Sequence, residues 1–155
     1  MNSRYQHGFT LIELMLVIVI IGILSAGSWH GWYAWQQARQ LNDSARQIQQ
    51  LLLNVRSEAW WMNTDRVLWA NTGQHWCLGA GPVSESCISE ARRMLSAPWP
   101  DVTLRALTPE LGFYGLKNTA RPGSILIGSD YGERRIIVSS RGRIRICEPA
   151  EEGCR

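Results

Sequence analysis

From Leu14 to Leu24 the chain is apolar without a break, and a single acid, Glu13, stands at the head of the run. No formally charged residue follows Glu13 until Arg39. Counted from Phe9, the stretch is long enough to cross a bilayer as a helix, which takes about 20 mostly apolar residues. A carboxylate inside such a helix costs about 2.5–3.5 kcal/mol at mid-membrane on insertion scales. Glu13 therefore needs an opposite charge, because an unpaired buried carboxylate protonates or resists burial.

A short polar leader, residues 1–8, precedes the run, carries Arg4 and His7, and ends in Gly8. The junction Gly8-Phe9-Thr10-Leu11-Ile12-Glu13 closely resembles the N-terminus of type IV prepilins and type II secretion pseudopilins. The resemblance implies cleavage between Gly8 and Phe9 by an inner-membrane prepilin peptidase, followed by N-methylation of Phe9. It also implies that Glu13 meets the Phe9 amine of a neighbouring subunit during filament assembly. Two plainer readings compete. A secretory signal would have an uninterrupted apolar region cut after small residues; Ala26-Gly27-Ser28 offers such a site, but Glu13 and the Gly-Phe junction argue against it. A simple anchor would have no reason to keep the acid.

The leader should stay cytoplasmic by the positive-inside tendency. Gly22, Gly27 and Gly31 permit close helix packing or local bending. Many type IV pilins kink this segment at a Pro; here Trp29-His30-Gly31 stands in that region, so a kink would have to come from Gly. Trp29, Trp32, Tyr33 and Trp35 cluster where the helix would leave lipid, either as an interfacial belt that includes His30 or packed on the globular domain or on neighbouring subunits. From there the apolar positions run Trp35, Ala38, Leu41, Ala45, Ile48, Leu52, Val55, Ala59, Met62, the stepping of one helical face. No Pro occurs before Pro82 and no Gly between Trp32 and Thr72. One helix from Phe9 to about Met62 follows, ending at Asn63-Thr64-Asp65.

Beyond Asp65 the texture changes to short β-type runs between turn formers. The expected strands are Val67–Ala70, Gln74–Leu78, Val102–Leu107, Gly112–Leu116, Ser124–Ile127, Arg135–Ser139 and Arg143–Cys147. Asn71-Thr72-Gly73 and Ser140-Arg141-Gly142 read as hairpin turns. Ser84–Ser96 reads as a short helix or a loop, and Pro98-Trp99-Pro100 as an extended stretch. The expectation is an α+β pilin fold: a leader at 1–8, a transmembrane or filament-core helix at 9–28, its amphipathic half at 29–62, and a small antiparallel β domain at 63–155.

Four cysteines, Cys77, Cys87, Cys147 and Cys154, lie in the part expected outside the cytoplasm, where disulfides persist. Three pairings are possible. The local one, Cys77–Cys87 with Cys147–Cys154, closes two short loops and is the expected one. A zinc site using Cys77 and His75 is the rival, but the spacings are not those of a zinc module. No phosphate loop, HExxH or GxSxG motif is present. The sequence implies no enzyme, cofactor or metal, and Asp101, Glu110, Asp130 and Glu133 read as solvated surface groups.

The net charge of +3 says little about partners. It hides a local excess: Lys117, Arg121, Arg134, Arg135, Arg141, Arg143 and Arg145 face only Asp130 and Glu133. On a strand, alternation would put Arg141, Arg143 and Arg145 on one face. Gly142-Arg143-Ile144-Arg145 resembles the C-terminal stretch of FimT-like minor pilins, some of which bind DNA, and phosphate backbones attract such a patch. The competing reading is that the arginines protect a strand edge or contact another pilin, with Glu148, Glu151 and Glu152 neutralising them. Leu107-Thr108-Pro109 with the stretch from Phe113 to Ala120 is similar to the branch of prepilin-peptidase-dependent protein A, related to pseudopilin H and FimT-like minor pilins. The resemblance implies a single-pass inner-membrane subunit with a periplasmic C-terminal domain. It would help initiate a type IV pilus or a secretion pseudopilus with other minor and major pilins.

Overall fold

The structure, a computed structural model, describes residues 9–73, 75–83, 87, 93–117 and 119–154, and the side chains among them except 26–30. It falls into two units, one up to Gln36 and one from Gln37. Among the described residues there is one helix, α1 (Leu11–Met62), and nine strands. The helix is assigned without interruption through Gly22, Gly27 and Gly31.

In the unit from Gln37, α1 contributes the stripe that its periodicity marks. Leu41, Ala45, Ile48, Leu52, Val55 and Ala59 are all buried, whereas the last position of the pattern, Met62, is exposed. Ser44 is buried on the same side, its hydroxyl donating to the Gln40 carbonyl at 2.9 Å. The helix ends in a Schellman cap. Asn63 takes a left-handed conformation (φ 52), Thr64 N–H donates to the Ala59 carbonyl at 3.1 Å, and Asn63 N–H to the Trp60 carbonyl at 3.2 Å.

The strands form two antiparallel sheets. β1 (Arg66–Asn71), β2 (Cys77–Ala80), β3 (Met94–Ser96), β5 (Gly112–Tyr114) and β6 (Thr119–Arg121) make one, in the order β3-β2-β1-β5-β6. β4 (Thr103–Leu107), β7 (Gly123–Ser129), β8 (Gly132–Val138) and β9 (Ile144–Cys147) make the other, in the order β4-β7-β8-β9. An isolated bridge between Gly73 and Leu104 joins the sheets. Their inner residues, among them Leu68, Leu78, Leu104, Phe113, Ile127 and Ile136, complete the core around the α1 stripe. Trp76 is fully buried, its indole N–H donating to the Val102 carbonyl at 2.8 Å, so a large apolar ring enters the core with its polar atom satisfied.

Three expectations change. β3 and β6 are strands the sequence pattern does not announce, each three residues long. β3 falls inside the stretch read as a short helix or loop; residues 84–86 and 88–92 of that stretch lie outside the described residues. The strand expected at Gln74–Leu78 begins only at Cys77, and Gln74 is not among the described residues. Pro98-Trp99-Pro100 bends rather than extends, with Val102 N–H donating to the Trp99 carbonyl at 3.3 Å and the Trp99 indole to Asp43 at 3.1 Å.

Candidate assembly and interaction sites

Thr10 is the N-cap of α1. The Glu13 N–H meets the Thr10 carbonyl at 3.1 Å and its hydroxyl oxygen at 3.4 Å, and Leu14 N–H donates to the same carbonyl at 3.2 Å. Thr10 and Glu13 thus hold the first and last positions of a capping-box sequence. This placement puts the Glu13 carboxylate in the first helical turn, where the helix dipole favours negative charge. The sequence contained this signal in the spacing from Thr10 to Glu13, and reading Glu13 only as an intramembrane acid passes over it. Phe9 is exposed beside the cap; Gly8 lies outside the described residues.

The apolar side chains from Leu11 to Leu24 are exposed all round the helix, from 46 % at Val17 to 74 % at Leu11 and Ile12. A helix that is apolar on every side needs lipid or other protein around it. Among the described residues no helical span is long and apolar enough to cross a membrane. Trp32 and Trp35 lie with ring centroids 5.4 Å apart, and they and Tyr33 are exposed.

The structure pairs Cys77 with Cys87 and Cys147 with Cys154, leaving no free cysteine. The second bridge closes the C-terminal loop next to β8, where Arg135 donates to the Cys154 carbonyl at 2.9 Å. No group of three or more His, Cys, Asp or Glu among the described residues is placed to hold a metal ion.

The arginines read as one strand face occupy three settings. Arg141 is in the β8–β9 turn, Arg143 just precedes β9, and only Arg145 is within it. All three are exposed, while Ile144 and Ile146 pack partly against the core. The carboxylates expected to neutralise them are used differently. Glu148 forms an ion pair with Arg134 at 2.8 Å, and Glu151 accepts from the Glu148 N–H at 3.4 Å. Among the described residues, Arg141, Arg143 and Arg145 have no ion-pair partner. Of the acids read as solvated, Glu110 pairs with Arg121, Glu133 with Arg105, and Asp101 accepts from the Gln37 amide at 2.8 Å.

One ionic cluster was not foreseen. Glu58 of α1 accepts from Arg93 Nε at 2.8 Å and from Arg66 Nη2 at 3.3 Å. The Arg93 hydrogen bond, joined by the charges of Arg93 and Arg66, holds the Glu58 carboxyl below its ordinary range against the opposing effect of burial.

Residues 3–29 match the family described as the prokaryotic N-terminal methylation motif. No curated protein matches significantly. The fold is similar to that of the type IV minor pilin FimU of Pseudomonas aeruginosa strain PAO1, at 18% identity over 76% of this chain and 95% of that chain, with a TM-score of 0.56. It is also similar to the minor pseudopilin EpsH of the type 2 secretion system of Vibrio cholerae, at 15% identity over 72% of this chain and 99% of that one, with a TM-score of 0.54. This protein carries the N-terminal methylation motif of prepilin-type proteins and has the α+β fold of a type IV minor pilin or minor pseudopilin.

Proposed function

We propose that the chain is a minor pilin-type subunit that helps initiate assembly of a type IV pilus or a type II secretion pseudopilus. Pilins and pseudopilins are structural subunits, not enzymes, and the residues that matter are those of assembly. Prepilin peptidase removes residues 1–8 and Phe9 becomes the N-methylated terminus. Before assembly the subunit is anchored in the bacterial inner membrane by the segment from Phe9, with its β domain in the periplasm. Glu13 then pairs with the Phe9 amine of a neighbouring subunit, and the sheets face other minor and major subunits.

The observation that carries this reading is the contrast along α1. Its first part, within the stretch that matches the methylation motif, is apolar and exposed on every side, while its second part buries only one stripe. The first part therefore needs surroundings that the chain does not supply itself. The test is Glu13→Ala in cells that assemble the filament. Cleavage at Gly8 should proceed and incorporation should fall; unchanged incorporation would remove the pairing argument.

A second reading is favoured by Arg141, Arg143 and Arg145, exposed and without an ion-pair partner among the described residues: a filament-tip subunit that holds DNA. Its test is retention of the chain on DNA at low and physiological salt. Retention that falls with salt and is lost on Arg143→Ala with Arg145→Ala supports it; no retention at low salt removes it.

A further inference from the structure

β3 is an edge strand with a groove beside it. Among the described residues it ends the sheet order, paired to β2 on one side only. Ala80 N–H donates to the Arg93 carbonyl at 3.0 Å and Ala97 N–H to the Trp76 carbonyl at 2.9 Å. In an antiparallel ladder, residues alternate between those that bond to the partner strand and those that turn away. Arg93, Leu95 and Ala97 therefore turn their backbone groups toward β2, and the N–H and C=O groups of Met94 and Ser96 point outward. These are the groups an added strand would meet.

Alongside runs a groove between β3 and the flank of α1. One section, of about 800 Å³, lies between Trp61, Met62 and Arg93. The next, of about 350 Å³, lies between Arg46, Gln50 and Met94, and Asn54 lines both. One end of the groove is apolar, because Trp61 and Met62 are 78% and 57% exposed. The other end is cationic: Arg46 is exposed and has no ion-pair partner among the described residues. The one carboxylate among the described residues of the groove lining, Glu58, is already engaged by Arg93 and Arg66.

We infer that this groove receives an extended segment of a different prepilin-type subunit, which adds as a strand to β3 and carries a carboxylate toward Arg46 and an apolar side chain toward Trp61 and Met62. A second copy of this chain fits poorly. Pairing β3 with β3 would bring two cationic grooves together, and the other edge strands, β4, β6 and β9, contain no carboxylate to offer Arg46. Gln50 and Asn54 offer side-chain amides along the path of the incoming backbone. The inference rests on the assembly role proposed above and names the contact by which that role is exercised.

The test places a photoreactive phenylalanine analogue at Ser96, and separately at Gln50, of the full chain in cells that assemble the filament, with crosslinked peptides identified by mass spectrometry. Both positions should capture one and the same extended, acid-containing segment of another prepilin-type subunit. Ser96→Pro removes an outward N–H and leaves the bonds to β2 intact. Asn54→Trp fills the groove from the helix side without touching β3. Each, combined with the analogue at Gln50, should lower the crosslink yield about tenfold or more. Crosslinks to a second copy, to unrelated proteins, or to two different subunits would overturn the inference. So would the absence of crosslinks from a chain that still enters filaments. A chain that is cleaved but never enters filaments would instead count against the assembly role itself.

Discussion

Arg56 on α1 donates from Nη1 to the carbonyl of Gly142, 2.9 Å away, and its guanidinium lies over the Gly142 α-carbon. Gly142 is in the left-handed region (φ 72) in the turn that carries Arg141 and leads into Arg143. A Cβ on Gly142 would come 3.0 Å from Arg56 Nε. The helix thus fixes the turn that presents the unpaired arginines, and does so at a position suited to glycine on two counts. Arg56→Ala should cost about 1–2 kcal/mol, as expected for a half-buried hydrogen bond from a charged donor. The check is the shift in the urea midpoint. Gly142→Ala should destabilise as well, through backbone strain and the Arg56 contact together.

Trp69 and Gly79 face each other across β1 and β2. A Cβ on Gly79 would lie 2.5 Å from Trp69 Cζ2, so the indole covers the place a side chain would take. Gly79→Ala should cost about 1–3 kcal/mol through overpacking. Thermal unfolding checks this, and Gly79→Ala combined with Trp69→Leu should recover part of the loss.

The Schellman cap at the end of α1 depends on the left-handed conformation of Asn63. Asn63→Val should cost about 1–2 kcal/mol, because a β-branched residue resists that conformation, while Asn63→Gly should be neutral or stabilising. Chemical denaturation of the pair checks the sign of each. A change of the same sign in both would contradict the cap assignment.

Glu58 links stability to pH. Its carboxyl is held below the ordinary glutamate value of 4.5, chiefly by the Arg93 hydrogen bond. The folded state therefore favours the ionised form more than the unfolded chain does. The stability from this group is complete above the ordinary value and is lost as pH falls below it through the lowered folded value. Glu58→Gln should flatten the fall of stability over that acidic window and change nothing in its slope at neutral pH. Denaturation midpoints of both forms across the window check this.

Removing the Cys147–Cys154 bridge with Cys147→Ser and Cys154→Ser should cost about 2–3 kcal/mol, the usual effect of opening a short loop. The loop then loses the crosslink that places the Cys154 carbonyl against Arg135. Non-reducing mass analysis with a denaturation curve checks both bridge and loss.

The amphipathic part of α1 was legible because a helix buries one stripe, and the steps from Leu41 to Ala59 mark that stripe directly. β7 and β8 were visible through their branched and apolar runs. β3 and β6 were not. Three residues such as Met94-Leu95-Ser96 show no period, and what makes them a strand is β2 alongside, which a local pattern does not contain. The bend at Pro98 to Pro100 escaped for a related reason, since Trp99 is held by Asp43 on a distant part of the chain. The arginine face was half legible. Alternation suggested exposure, but Glu148 could be assigned to Arg134 rather than Arg145 only once β8 and β9 were side by side. Thr10 as the cap for Glu13 was written in the sequence and is separate from the charge argument.

The most direct test of the assembly role is the mass of the N-terminal peptide of the chain recovered from bacterial membranes. The account predicts a peptide that begins at Phe9 and carries a single methyl group on its amine. A peptide that begins at Met1, or just beyond Ala26-Gly27-Ser28, would contradict it, because the first leaves the leader in place and the second discards Glu13 with the apolar run.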